Sequence, residues 1–273
     1  MRPRMSSLAQ RTVEAPQGST TVLRVAGLSK VYRTQTGAES PALRDVGFAM
    51  EAGEFVSVVG PSGCGKTTLM KICAGLLHPT AGEVDHHGSG RPVPPGQGGV
   101  VFQTPSLLPW RTILRNVVLP AEVLGLDRHA AAERARNLLG LVGLDGVESA
   151  YPGELSGGMQ QRASICRALL HDPEILFMDE PFGALDALTR EDLNMLLQDV
   201  HLHEHKTVLF ITHSIAEAVL LSDRVLVMSG RPGTVEADLP VPFDRPRRRA
   251  DVTSQEFLEV AGEIRRFIGR RDR

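Results

Sequence analysis

The sequence predicts an α/β fold built around a phosphate-binding loop, and three observations predict it. The first is Gly60-Pro-Ser-Gly-Cys-Gly-Lys-Thr-Thr68, which reads G-x-x-x-x-G-K-T. The second is its setting. The apolar run Phe55, Val56, Val58, Val59 precedes it as a buried strand, and Thr67 to Ala74 follow with helical character. The third is a pair of further apolar strands that end in polar groups, Glu174-Ile-Leu-Phe-Met-Asp-Glu180 and Thr207-Val-Leu-Phe-Ile-Thr212. An amphipathic helix from Arg190 to Val200 separates them.

The loop carries its own chemistry. Gly60, Gly63 and Gly65 lack a Cβ, so the backbone around Pro61, Ser62 and Cys64 can curl and turn successive N–H groups toward an anion. The helix that begins near Lys66 adds its positive end. Lys66 is expected at the β- and γ-phosphates, the Thr67 hydroxyl on Mg²⁺, and Thr68 at the α- and β-phosphates. A motif of this kind implies nucleotide binding without saying to what end.

Composition sets the outer limits. The 273 residues suffice for one large domain or a domain with an inserted lobe, and 42% hydrophobic content suits a globular core. A formal net charge of -2 supplies no global field toward nucleic acid or lipid. Cys64, Cys73 and Cys166 show no paired metal spacing, which fits a reducing compartment. No apolar run approaches the roughly 18 residues of a membrane span. The basic start Met1-Arg-Pro-Arg-Met-Ser-Ser lacks the apolar core of a signal peptide. A cytosolic protein is expected, one that must dock on a partner if it works at a membrane.

In chain order, residues 1–20 read as a loose tail rich in Arg, Ser, Gln, Thr and Pro. Thr21 to Val25 and Phe48 to Val59 look strand-like, with turns at Gly37 and Pro41, giving an antiparallel piece beside the loop. Tyr32 in Val31-Tyr32-Arg33 can stack on an adenine ring or be a plain strand-edge aromatic. Gly82 to Gly99, with Pro92, Pro94 and Pro95, reads as a surface turn in which His86 and His87 are solvated. A short strand Gly99-Val-Val-Phe102 then ends at Gln103, an amide placed to touch a metal-bound water and sense a γ-phosphate.

Residues from Ser106 to about Gly153 form a helical insert. Thr112 is a candidate cap, and His129 to Leu141 have helical spacing. Two readings stand open for the lone Trp110: packed inside the insert, or exposed on a docking face. Leu155-Ser-Gly-Gly-Met-Gln-Gln-Arg162 opens another helix, and Ser156, Gly157 and Gly158 make a second anion-binding helix start. Asp179 and Glu180 end their strand on opposite faces, one suited to hold Mg²⁺ through water and the other to orient an attacking water. His213 at the tip of the next strand can reach the γ-phosphate and the water. His201, His203 and His205 read as exposed helix-end residues. Arg224 to Met228 and Gly233 to Ala237 are the final strands. Arg245 to Arg249 reads as a solvated basic linker, and Thr253-Ser-Gln-Glu256 as a capping box for a helix bearing Phe257, Leu258, Ile264 and Phe267.

Taken together these motifs resemble the ATP-binding subunit of ABC transporters across about residues 22–240. The phosphate loop, the glutamine loop at Gln103, the signature Leu155–Met159 and the magnesium strand Ile175–Glu180 come in the family's order. The aspartate loop Ala184–Asp186 and the switch histidine His213 follow, and the upstream aromatic falls on Tyr32. Met159 stands where the family most often has glutamine. Within the family, Ser106–Arg111 and Pro181–Ala187 look like the nitrate, sulfonate and taurine importer group.

The resemblance implies a P-loop NTPase core of the RecA-like kind, with an antiparallel β subdomain and an inserted α-helical subdomain at about 104–165. The ATPase domain spans 21–243, ahead of a basic linker and C-terminal helix over 244–273. It also implies ATP and Mg²⁺ as cofactors, with Thr67, Gln103 and Asp179 toward the metal. Two copies would close head to tail. Tyr32, Lys66, Thr67, Gln103, Asp179, Glu180 and His213 of one would face Ser156, Gly157 and Gly158 of the other, with Glu180, His213, Gln103 and Lys66 catalytic. Hydrolysis of ATP to ADP and phosphate would drive a separate membrane permease served by a solute-binding protein, at the cytoplasmic face of the inner membrane and without nucleic acid. The alternatives are an exporter or lipid-transport ATPase, or a non-transport ATPase of the same family.

Overall fold

A computed structural model describes residues 21–33, 37–183 and 185–268; the expected tail over 1–20 lies outside them. Two sheets carry the architecture. Strand β1 (Thr21–Arg33) lies between β2 (Glu39–Glu51) and β4 (Ala81–His86) in an antiparallel three-stranded sheet. The second sheet runs β5 (Gly98–Val101), β6 (Ile175–Asp179), β7 (Thr207–Ile211), β3 (Phe55–Val59), β8 (Arg224–Met228), β9 (Val235–Pro240). Its pairings are parallel except for the last, where β9 runs antiparallel to β8.

The strands of the second sheet form where the sequence places apolar runs, because a parallel strand covered on both faces needs continuous rather than alternating hydrophobics. All five residues of β3, β6 and β7 are buried. Helices cover them. Helix α1 (Lys66–Cys73) lays Leu69, Met70, Ile72 and Cys73 into a core shared with the antiparallel sheet. On the other side α6 (Ala187–Glu204) and α5 (Gly157–Leu169) bury Leu193, Leu197, Ile165 and Leu169 against Phe55, Phe210 and Met178.

Three helices between β5 and α5 form a lobe: α2 (Ile113–Val117), α3 (Leu119–Leu124) and α4 (Arg128–Leu141). Thr112 caps α2 by accepting from the Arg115 N–H, and Asp127 caps α4 by accepting from that of Ala130. Trp110 stands 71% exposed at the entrance to this lobe, which settles its two open readings in favour of the surface. No helix among the described residues is long and apolar enough to cross a membrane.

The structure corrects several local expectations. Pro41 lies inside β2, not in a turn; β2 is an edge strand, where a missing N–H breaks no ladder. The stretch expected as a surface turn over Gly82–Gly99 holds β4, and His86 is 4% exposed with its ring bonded to Glu174. His201 is buried edge-on against Phe55 at 5.2 Å between centroids and accepts from Arg245 (3.1 Å). The basic run 245–249 is solvated only in part: Arg248 and Arg249 are exposed, but Arg247 is 3% exposed and donates to the carbonyls of Val219, Leu220 and Ser222. These are the last carbonyls around α7 (Ile215–Leu221), which a helix end leaves without partners. Helix α8 (Gln255–Ile268) takes its N–H cap from Ser254 rather than Thr253 and packs Phe257, Ala261 and Ile264 onto α7, β8 and β9, leaving Leu258 outside.

Candidate active site

Parallel strands β3, β5, β6 and β7 end on one edge of the sheet, and the segments after them converge there. The phosphate loop follows β3, Gln103 follows β5, Asp179 and Glu180 close β6, and His213 follows β7.

Sequence and packing shape the loop. A Cβ on Gly60 would stand 2.8 Å from the Met228 carbonyl. One on Gly65 would stand 2.9 Å from the Ala42 carbonyl and 2.7 Å from Leu43 Cδ2, with φ at +106° besides. Neither position admits a side chain without moving backbone. Ser62 and Gly63 form the exposed tip, and Cys64 turns inward, its thiol pushed up by burial. Lys66 is buried, and its Nζ donates to the carbonyls of Gly60 (2.9 Å) and Pro61 (3.2 Å). The ammonium therefore lies within its own loop, at the N-terminal end of α1.

Thr67 Oγ1 donates to Asp179 Oδ1 at 2.9 Å, joining the first turn of α1 to the end of β6. Burial pushes the Asp179 carboxyl up, and the nearby Glu180 charge adds to this; the Thr67 hydroxyl, Lys71 and Lys66 act the other way. A hydroxyl and a carboxylate side by side are hard oxygen donors of the kind Mg²⁺ takes, and a buried carboxylate raised by desolvation is one a cation relieves. The residues present thus fit a magnesium site.

Glu180 has φ +43°, a left-handed backbone uncommon outside glycine. Its N–H still bonds the Ile211 carbonyl (2.9 Å), while its own carbonyl receives the Gly183 N–H (3.0 Å). The turn sends its carboxylate toward β7, where His213 Nδ1 donates to Oε2 at 3.1 Å. Gln103 is exposed, and its Nε2 lies 3.1 Å from where a Gly183 Cβ would stand; Glu180 Oε2 lies 3.6 Å from the same point. Tyr32 reaches Thr68 through a hydroxyl contact of 3.3 Å and leaves its ring 39% exposed beside Lys30.

One edge therefore gathers Tyr32, Lys66, Thr67, Thr68, Gln103, Asp179, Glu180 and His213. Ser156, Gly157 and Gly158 are not bonded to this group. Ser156 caps α5 by accepting from Met159 (3.3 Å), with Ser156 and Gly157 exposed. Gly157 and Gly158 face Leu185 and Thr189 at the start of α6, Gly158 so closely that a Cβ would meet Thr189 at 2.7 Å. Ala184 of the aspartate loop lies outside the described residues; Asp186 caps α6.

Residues behind His213 were not singled out in the sequence. Thr212 donates to the buried Glu217, whose other oxygen lies 3.8 Å from Arg190 on α6. Burial pushes the Glu217 carboxyl up. A polar residue one helical turn past His213, on an otherwise apolar α7 face, was the available signal. Gly183 was missed too, because only the folded turn shows that its bare Cα makes room for Gln103.

Comparison with known proteins fits this geometry. The family of ABC transporters matches residues 43–183. An uncharacterized ABC transporter ATP-binding protein of Methanocaldococcus jannaschii is 47% identical over 242 residues, 89% of each chain. The aliphatic sulfonates import ATP-binding protein SsuB of Bacillus thuringiensis is 40% identical, covering 87% of this chain and 92% of its own. The taurine import ATP-binding protein TauB of Pelagibacter ubique is 42% identical over 79% of this chain and 82% of its own. Among solved structures, a dimeric post-hydrolysis state of the ATP-binding cassette MJ0796 with ADP and Pi superposes with a TM-score of 0.70 at 31% identity, covering 81% of this chain and all of that one. With a complete phosphate loop, an acidic strand end and a histidine meeting on one sheet edge, this chain belongs to the ABC transporter family and is one of its ATP-binding, ATP-hydrolysing subunits.

Proposed function

We propose that this subunit powers uptake of a small anion of the sulfonate, taurine or nitrate class through a separate permease, as one half of a head-to-tail homodimer on the cytoplasmic face of the membrane. The observation that carries the catalytic part is the paired contact Thr67–Asp179 and His213–Glu180 on one strand edge. Lys66 and the loop N–H groups bind the phosphates, Thr68 lies along them, and Tyr32 stacks against the base. Thr67 and Asp179 would hold Mg²⁺, with Gln103 a further candidate toward it; when bound, the ion would neutralise phosphate charge. Glu180 orients the attacking water and takes its proton, while His213 fixes the carboxylate and faces the γ-phosphate.

The exposed Ser156 and Gly157, with the Gly158 N–H, supply a second anion site from the opposing copy. Dimeric MJ0796 cassettes support this reading. The relatives SsuB and TauB support an importer, whose cargo would arrive on a solute-binding protein. Ser106 to Arg111, with exposed Trp110, follow Gln103 directly and form the face that meets the permease.

Reconstitution with the permease and a solute-binding protein tests the reading. ATP turnover is expected to rise with taurine or an alkane sulfonate. Turnover indifferent to every anion tried would favour an exporter or lipid-transport role. Trp110→Ala should weaken permease affinity without altering nucleotide affinity; unchanged permease affinity and coupling would remove Trp110 from that face.

A further inference from the structure

We propose that His86, His87 and Glu174 bind one divalent transition-metal ion of the zinc class, fastening the antiparallel sheet to the parallel sheet at the end of β6 remote from the nucleotide site. Two imidazole nitrogens and one carboxylate are a donor set that such ions take, with water filling the remaining positions. Nε2 of His86 lies 3.0 Å from Glu174 Oε2, and Nε2 of His87 lies 2.6 Å from Oε1. All three ligand atoms fall within 4.8 Å of one another. Donors held about 2.0–2.1 Å from zinc stand roughly 3.0–3.4 Å apart. The observed separations lie within about 1.5 Å of that spacing.

The backbone is bent to bring the two rings together. Consecutive residues in a strand point to opposite faces, so adjacent histidines do not normally share a ligand. Here β4 ends at His86, and His87 takes φ +52°, turning its ring to the same side. The rings meet edge to face with centroids 4.4 Å apart, and both present Nε2 to Glu174. A histidine held in this conformation is the kind of local strain that marks functional positions. Glu174 is fixed as well, since its N–H bonds the Gln97 carbonyl just before β6 begins. His86 is buried, while His87 and Glu174 are partly exposed, which leaves a route in and room for water ligands.

Rival ligands are absent nearby in kind: among the described residues no other such group of three donors is formed. The thiols of Cys73 and Cys166 are pushed up to about 12 by burial and do not compete. Among the described residues the nucleotide site offers a single imidazole, His213, beside its oxygen donors, and excess Mg²⁺ occupies the oxygens.

The test is equilibrium titration of the chelator-stripped, full-length protein with Zn²⁺ in excess Mg²⁺, followed by metal analysis after desalting. About one equivalent per chain is expected. His87→Ala and Glu174→Gln should each weaken binding at least about tenfold, while His203→Ala, an exposed histidine elsewhere, should leave it unchanged. Glu174→Gln keeps the shape and can keep both hydrogen bonds, one of them reversed with the amide NH2 donating to an imidazole nitrogen, but it removes the anionic ligand, so it separates coordination from a hydrogen-bonded triad. Less than about half an equivalent in the wild type, or equal binding in the wild type and both triad variants, would overturn the site.

Discussion

At the residue scale, Glu180 and Asp179 stand side by side under opposite demands. Glu180 is turned out by its left-handed backbone and partnered by His213. Glu180→Gln should bind ATP normally and lose phosphate release by about 100-fold or more, as removal of a general base does. Asp179 is buried with its carboxyl raised, so the native chain holds that proton more tightly than the unfolded chain. Stability of the nucleotide-free protein therefore falls as pH rises through the carboxyl range, and the loss is complete above it. Asp179→Asn should raise the thermal midpoint near neutral pH while weakening Mg²⁺-dependent hydrolysis. A lower midpoint would show that the Thr67 bond outweighs desolvation. The identity of these residues was legible because each ends an apolar strand or opens a glycine loop. The left-handed turn at Glu180 was not, since no glycine or asparagine announces it.

At the element scale, the C-terminal segment behaves as a clasp on α7. Arg247 also donates to the Phe243 carbonyl, at 3.2 and 2.8 Å, besides the three carbonyls around the end of α7. Arg247→Ala leaves those acceptors buried and unpaired and should lower unfolding free energy by about 2–4 kcal/mol, with faster amide exchange in α8 than elsewhere. Next to it, burial and the Arg245 charge push the His201 imidazole down to about 4 from 6.5. The unfolded chain then binds the proton first. Stability contributed by neutral His201 is complete above pH 6.5 and is lost as pH falls toward 4, by up to about 3 kcal/mol. His201→Gln should flatten that part of the stability profile in urea titrations at stepped pH. Arg245 to Arg249 read as solvated because a charge run in a sequence shows no acceptors. The carbonyls at the end of α7 that Arg247 meets lie more than twenty residues away. Strand β4 was hidden for a different reason: Ala81-Gly-Glu-Val-Asp-His86 has too few apolar residues to alternate, and it exists because β1 supplies a pairing edge.

At the scale of the whole molecule, the order of motifs made the α/β core legible, since parallel strands must be apolar throughout and their loops must carry the polar chemistry. In the proposed dimer, Ser156 to Gly158 complete the site of the opposing copy. Ser156→Arg should leave single-copy ATP affinity nearly unchanged and lower hydrolysis by about 100-fold or more, as loss of preorganised donors does; light scattering with ATP should show no dimer. Normal turnover in that variant would mean that one copy works alone.

The seam between the two sheets has a mechanical consequence. Gly233 N–H bonds the Ala42 carbonyl and the Gly233 carbonyl receives the Arg44 N–H, both at 2.9 Å, directly behind Gly65 and Cys64. Rocking of one sheet on the other would load this pair of bonds, beneath the cradle. Grip on the base and grip on the phosphates would then tighten and slacken in step, through a joint of main-chain bonds flanked by Arg231, which donates to the Pro41 carbonyl and to Ser40.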